Sequence, residues 1–228
     1  MGCTISIPWT RGEAAAAVSL AIAAGVFAPA TGLAQQIDVG FNIAFYVPLG
    51  ALVEEGMKSS PATFSQQRLQ ATPALGGSIT LWTSDHLGFS GSFSVSPSDV
   101  AVTDTTGTHD HSSTVVLAGA RVIYAFTPLH FKAPAGHREI PWSFYVGGGL
   151  GVVSRSGAVW TYSSGLTAPA LLLNGGVRTA VGGRTVLRFD VEDYISQAQF
   201  DKGLPTETEA RIHHDLLFSI TVAYRVVR

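Results

Sequence analysis

The chain has 228 residues, a formal net charge of −2 and only 13% charged residues. That length suits one β-domain plus a processed leader. The near-neutral balance gives no basis for binding nucleic acid or an acidic membrane surface. The charge content is about half the ~25% of an average soluble domain, and Gly is abundant.

The N-terminus reads as a secretory signal spanning residues 1–34. Arg11 is followed by an apolar stretch from Ala14 to Phe27, then Pro29, then the small-residue site Gly32-Leu33-Ala34, which places cleavage before Gln35. The apolar stretch is short for a ~20-residue membrane helix. Cys3, the single cysteine, lies before this cut. The mature domain, 35–228, is therefore expected to have no disulfide, no Cys-ligated metal and no Cys nucleophile.

From Ile37 the pattern alternates with period two, the signature of a strand with two unlike faces. Ile37, Val39, Phe41, Ile43, Phe45 and Val47 share one face, and Asp38, Gly40, Asn42, Ala44 and Tyr46 share the other. A second strand is expected over Leu69–Thr83, with Leu75, Gly77, Ile79 and Leu81 on the apolar face. After the turn Ser84-Asp85-His86 a third strand carries Leu87, Phe89, Phe93 and Val95 against Gly88, Ser90, Ser92 and Ser94. A polar connection follows, Ser96 to Ser113. The fourth strand spans Thr114–Phe126, with Arg121 opposite its apolar side. The long connection Thr127–Pro141 leads to a fifth strand from Trp142, and Ser154–Gly165 reads as a loop.

Two alternating runs around Gly182-Gly183 predict a hairpin, because both glycines reach φ > 0 without steric cost. In its second run Leu187, Phe189 and Val191 face one way and Arg188, Asp190 and Glu192 the other. Phe200 to Ile212 is polar, and a last strand runs from His213 to about Val227. The total is eight strands, several of them as long as a tilted membrane strand. Long and short connections roughly alternate, the exception being Thr127–Pro141. Phe45, Tyr46, Trp82, Tyr124, Phe126, Trp142, Tyr194 and Tyr224 near strand ends fit interfacial girdles.

The leader, the alternating strands, the segment Tyr145-Val-Gly-Gly-Gly-Leu-Gly, the run Leu187-Arg-Phe-Asp-Val-Glu-Asp-Tyr and the final His214-Asp-Leu-Leu-Phe-Ser-Ile-Thr-Val-Ala-Tyr-Arg resemble the small outer-membrane β-barrel proteins, such as the OmpA transmembrane domain, OmpX and the opacity proteins. The resemblance spans nearly all of the mature chain and rests on alternation. It implies an all-β fold, an eight-stranded antiparallel up-and-down barrel in the bacterial outer membrane. It also implies outer-membrane lipid and lipopolysaccharide as surroundings and the barrel-assembly machinery as a partner during insertion. In that family the last strand commonly ends on an aromatic residue, whereas here Tyr224 is followed by Arg-Val-Val-Arg.

On this reading Asp38, Arg121, Arg178, Arg188, Asp190, Glu192, Asp215 and Arg225 collect on the inward face. Charges sealed in a narrow barrel must pair, because an unpaired buried charge is very costly. They form either a rigid salt-bridged plug or a gated polar pathway. His109 and His111 in one loop, with His213 and His214 opening the last strand, are weak candidates for Zn²⁺ or Cu²⁺, since successive strand residues point to opposite faces. No Ser-His-carboxylate spacing marks a lipid-acting triad. Gly147–Gly151 lacks the Lys-Ser/Thr of a phosphate loop, and close strand packing accounts for it. No enzymatic activity and no cofactor is expected. The alternatives are a small porin-like channel and a soluble periplasmic lipocalin-like barrel with its apolar face turned inward around a ligand.

Overall fold

The computed structural model describes residues 36–50, 66–104, 107–126, 142–157, 167–181, 184–198 and 210–227. The predicted leader, the connection 127–141 and the turn glycines 182–183 lie outside these residues.

Eight antiparallel strands close a barrel. They are β1 (Gln36–Leu49), β3 (Thr72–Trp82), β4 (Leu87–Pro97), β7 (Thr114–Ala125), β8 (Trp142–Ser156), β9 (Thr167–Ala180), β10 (Thr185–Ala198) and β11 (Arg211–Val227), with β1 paired to both β11 and β3. Closure leaves no barrel edge with unpaired backbone groups. Walking the register from Val47 through Leu216, Asp193, Leu173, Gly148, Val122, Phe89 and Leu81 returns to β1 at Ile37, ten residues from the start. Such a stagger over eight strands tilts them by roughly 40° to the axis.

The sidedness is inverted relative to a water-soluble protein. On β1, Val39, Phe41, Ile43 and Phe45 are exposed while Asp38, Asn42, Ala44 and Tyr46 are buried. The same inversion holds on β10 and β11, where Phe189, Val191, Phe218, Ile220 and Val222 face out and Arg188, Asp190, Glu192, Asp215 and Thr221 face in. The lipocalin-like alternative required the opposite, an apolar interior and a polar outer wall, and this placement overturns it.

One end is tight. Thr83 N donates to Leu87 O at 3.0 Å across the β3–β4 turn, and Val181 N donates to Thr185 O at 3.0 Å below β9 and β10. The other end is elaborated. The predicted second strand, Leu69–Thr83, is observed as β3 from Thr72, and its first residue instead ends β2 (Gln66–Leu69), whose other residues precede the predicted strand. The predicted connection Ser96–Ser113 contains two more strands, β5 (Val100–Asp104) and β6 (Gly107–His111), and β2, β5 and β6 form a separate three-stranded sheet. The bond Gln70 N to Asp99 O at 2.9 Å and the bond Ser98 N to Ser113 O at 3.0 Å tie this sheet to the rim. The loop expected from Ser154 begins later, since β8 continues to Ser156.

Leu81 keeps the expected outward register position between Ile37 and Phe89, although it is only 2% exposed there. One further expectation needs correction. Tyr46, Trp82 and Tyr194 are not girdle residues. All three are buried in the barrel, because each sits at an inward register position and its polar tip finds a partner there. Phe45, Tyr124, Phe126 and Tyr224 do face outward.

Candidate functional site: the charged barrel interior

The interior is filled in tiers. At the tight end Asp38 Oδ2 accepts from Trp82 Nε1 at 2.9 Å and Asp38 Oδ1 accepts from Gln36 Nε2 at 2.7 Å. Arg225 Nε lies 3.7 Å from Asp38 Oδ1, too far for a hydrogen bond, so this contact is electrostatic only. Arg178 stacks over the Trp82 ring, its guanidinium carbon 4.0 Å from the centroid. Arg178 sits opposite Arg188 in the β9–β10 register, an unfavourable placement for like charges. The two guanidiniums are engaged elsewhere, one by the indole and the other by the next tier.

In that tier Arg188 donates to Asp190 at 3.0 Å, to Tyr145 Oη at 3.1 Å and to Thr80 Oγ1 at 2.8 Å. Asp190 also accepts from the Tyr145 hydroxyl and from Asn174 Nδ2, the latter at 3.2 Å. Above it Arg121 Nη2 meets Glu192 Oε1 at 2.7 Å, Arg121 Nη1 donates to Ser92 at 3.1 Å, and Tyr194 donates to Glu192 Oε2 at 2.9 Å. Towards the elaborated end Arg155 Nη2 meets Asp215 Oδ2 at 2.6 Å, and the Tyr46 hydroxyl donates to Asp215 Oδ1.

The eight sequence-derived interior residues all lie at inward register positions. Asp38, Arg121, Arg188, Asp190, Glu192 and Asp215 are buried, and Arg178 and Arg225 are half-buried near the tight end. Arg155, 2% exposed, belongs to the same set although the sequence pattern as read above does not include it. Its parity matches Tyr145, Gly147, Gly149 and Gly151 on β8, so extending the alternation two residues past Val153 finds it.

Apolar side chains close the interior beyond these tiers. Leu117, Val115, Val153, Ala170, Leu172 and Leu217 pack with Leu69 and Val100 of the three-stranded sheet. The bore is thus occupied by ion pairs, aromatic rings and an apolar cap. Charged pairs so enclosed rigidify the barrel provided each group keeps its partner. Tyr46→Phe removes one donor from Asp215 and leaves a buried carboxylate lone pair unmet. The expected cost is about 1–3 kcal/mol, read from urea unfolding of the reconstituted protein.

The four histidines do not converge. His109 and His111 are exposed on β6, His213 is buried facing inward, and His214 faces outward, with Nδ1 2.9 Å from Asp193 Oδ2. No group of three metal-ligating side chains occurs among the described residues.

No protein-family model and no curated protein sequence matches the chain. Solved structures do. The outer membrane protein OprG from Pseudomonas aeruginosa is 12% identical with a TM-score of 0.60, covering 86% of this chain and 97% of its own. The outer membrane protein AlkL, solved in lipid bilayers, is 16% identical with a TM-score of 0.54, covering 86% and 92%. At these identities the likeness is one of fold, and the fold is that of the small eight-stranded outer-membrane β-barrels.

Proposed function

We propose that this chain is a bacterial outer-membrane barrel with a sealed interior, exported with removal of residues 1–34 and acting as a structural or surface-interaction protein. The observation that carries the reading is the inverted sidedness. Phe41, Ile43, Leu75, Phe93, Leu150, Ile220 and Val222 are all more than half exposed on the wall. Soluble monomers rarely expose an apolar patch above a few hundred Å², whereas a membrane barrel presents an apolar band about 25 Å tall. The tight turns would face the periplasm. The three-stranded sheet, with Thr108, His109, Asp110 and His111 exposed, would face outside as the surface offered to partners. Outer-membrane lipid and lipopolysaccharide would surround the wall, and the barrel-assembly machinery would insert it.

The plug distinguishes this reading from a porin-like channel. Arg121–Glu192, Arg188–Asp190 and Arg155–Asp215 stand in successive tiers across the bore. In planar bilayers the purified protein is expected to give no stable single-channel steps. Reproducible ohmic conductance with ion selectivity would show that the tiers leave a water path and that the protein is a pore.

A further inference from the structure

The charge pairing of the interior breaks at the tight end. Arg121, Arg155 and Arg188 each hold a carboxylate at 2.6 to 3.0 Å. Arg178 and Arg225 do not. Among the described residues Arg178 stacks on the Trp82 ring and makes no hydrogen bond, and its Nη1 is buried without a partner. Arg225 makes none either, its buried Nε standing 3.7 Å from Asp38 Oδ1. The other nitrogens of both guanidiniums are neither bonded nor enclosed, since Arg178 is half-buried and the Arg225 side chain is 24% exposed.

The two arginines stand at nearly one level of the bore. Arg178 maps through Arg188 to Thr221 on β11. The ten-residue stagger around the ring lowers the equal-height position by about 2.5 residues over two strands. That position falls near Ala223, and Arg225 is the next inward residue towards the tight end. Arg178 is accordingly within electrostatic reach of both Asp38 and Arg225. Asp38 is the one buried carboxylate at this level among the described residues, and both its oxygens already accept, from Gln36 and Trp82. Two guanidiniums thus share one carboxylate. At the rim beyond them, exposed Arg184 and exposed Asp85 cancel in charge.

We propose that Arg178 and Arg225 together bind a phosphate group at the tight-end mouth of the bore, either free phosphate or a lipid headgroup. An arginine cannot shed its proton, so the pair cannot relieve its repulsion by titrating. Water can solvate the open nitrogens but leaves a half-buried charge uncompensated, which is costly. An anion supplies both acceptors and charge. The geometry favours phosphate over carboxylate. A carboxylate offers two coplanar oxygens, enough for one guanidinium fork, whereas the tetrahedral oxygens of phosphate can face two forks at once. The site itself stands on the barrel geometry. Only the placing of this mouth in the periplasm rests on the outer-membrane reading.

The test uses the full barrel refolded in maltoside micelles, which contain no phosphate, and titrated with inorganic phosphate by calorimetry at constant ionic strength. Saturable binding is expected, with acetate binding about tenfold more weakly or less. Arg178→Gln and Arg225→Gln are each expected to weaken phosphate binding about tenfold or more, the loss of one charge-assisted contact. Arg184→Gln removes a charge from the same rim outside the pair and is expected to change binding less than about twofold. Asp38→Asn, which removes the competing carboxylate, is expected to strengthen binding. No saturable binding by the wild type would overturn the site, as would equal affinity for acetate or equal weakening by all three arginine variants. The wild-type comparison of phosphate with acetate decides even if a variant fails to fold. Repeating the wild-type titration in phosphatidylglycerol vesicles separates the sources. A site still open there takes water-borne phosphate, and a site open in micelles but filled in vesicles takes the headgroup. Each sample is also run unboiled and boiled on a denaturing gel. A normal heat-dependent shift without phosphate binding overturns the site alone, whereas absence of the shift in the wild type overturns the barrel reading with it.

Discussion

Glu192→Gln is expected to destabilise the barrel by about 3–5 kcal/mol, the usual consequence of removing one partner from a buried ion pair. Glu192 is held by Arg121 at 2.7 Å and by the Tyr194 hydroxyl at 2.9 Å, with both charged side chains nearly inaccessible. The neutral amide keeps the size but leaves the Arg121 guanidinium without its bonded counter-charge, and the Arg121 Nε already lacks a hydrogen-bond partner. The companion variant Arg121→Met/Glu192→Leu removes both charges together. It is expected to recover most of the lost stability, because an apolar pair of similar volume avoids the desolvation cost. Urea unfolding in lipid vesicles, followed by tryptophan fluorescence, measures both. A double variant as unstable as the single one would mean that the charges are needed for more than mutual compensation.

Gly149→Ala is expected to prevent assembly of the barrel, while Gly148→Ala next to it is expected to be nearly silent. A methyl at Gly149 would lie 2.1 Å from the Ala120 carbonyl oxygen and 2.6 Å from Arg121 Cα, both backbone atoms of β7. The ladder would have to part, at a cost above the ~1–3 kcal/mol of ordinary overpacking. A methyl at Gly148 would find its nearest neighbours at 3.9 Å, on the outer wall. The unboiled gel mobility of the two variants gives a direct comparison. Normal folding of Gly149→Ala would show that β7 and β8 are less closely paired than described.

These two variants also mark what the sequence makes legible. Alternation identifies the two faces of β1, β10 and β11 residue by residue, because a period of two has only two phases. It puts Arg188, Asp190 and Glu192 on one face from their own segment alone, and the rest of the chain makes that face the inward one. It does not show that Arg121 meets Glu192 or that Arg188 reaches Thr80, since those contacts depend on how eight strands close. Closure is a property of the register around the whole ring. The same limit explains why Gly148 and Gly149 look alike in sequence yet differ in what lies beside them. Arg155 is not legible because Ser154 looks like the start of a loop, although the parity of β8 continues to Ser156. The three-stranded sheet left no periodic trace. Its strands are four or five residues long, and β6 reads Gly-Thr-His-Asp-His, polar throughout. Tyr46, Trp82 and Tyr194 read as girdle residues because a Tyr or Trp near a strand end suits either a membrane interface or a buried polar partner. Asp38, Asp215 and Glu192 provide the latter.

The most direct test of the inverted barrel is envelope fractionation of cells expressing the full chain, followed by a denaturing gel of the outer-membrane fraction with and without boiling. Recovery in that fraction, with faster migration when unboiled, is the expected result, because a closed barrel with its ion pairs intact resists the detergent. Recovery in the soluble periplasm with identical mobility in both lanes would contradict the account, since the outward apolar wall could not then remain exposed to water.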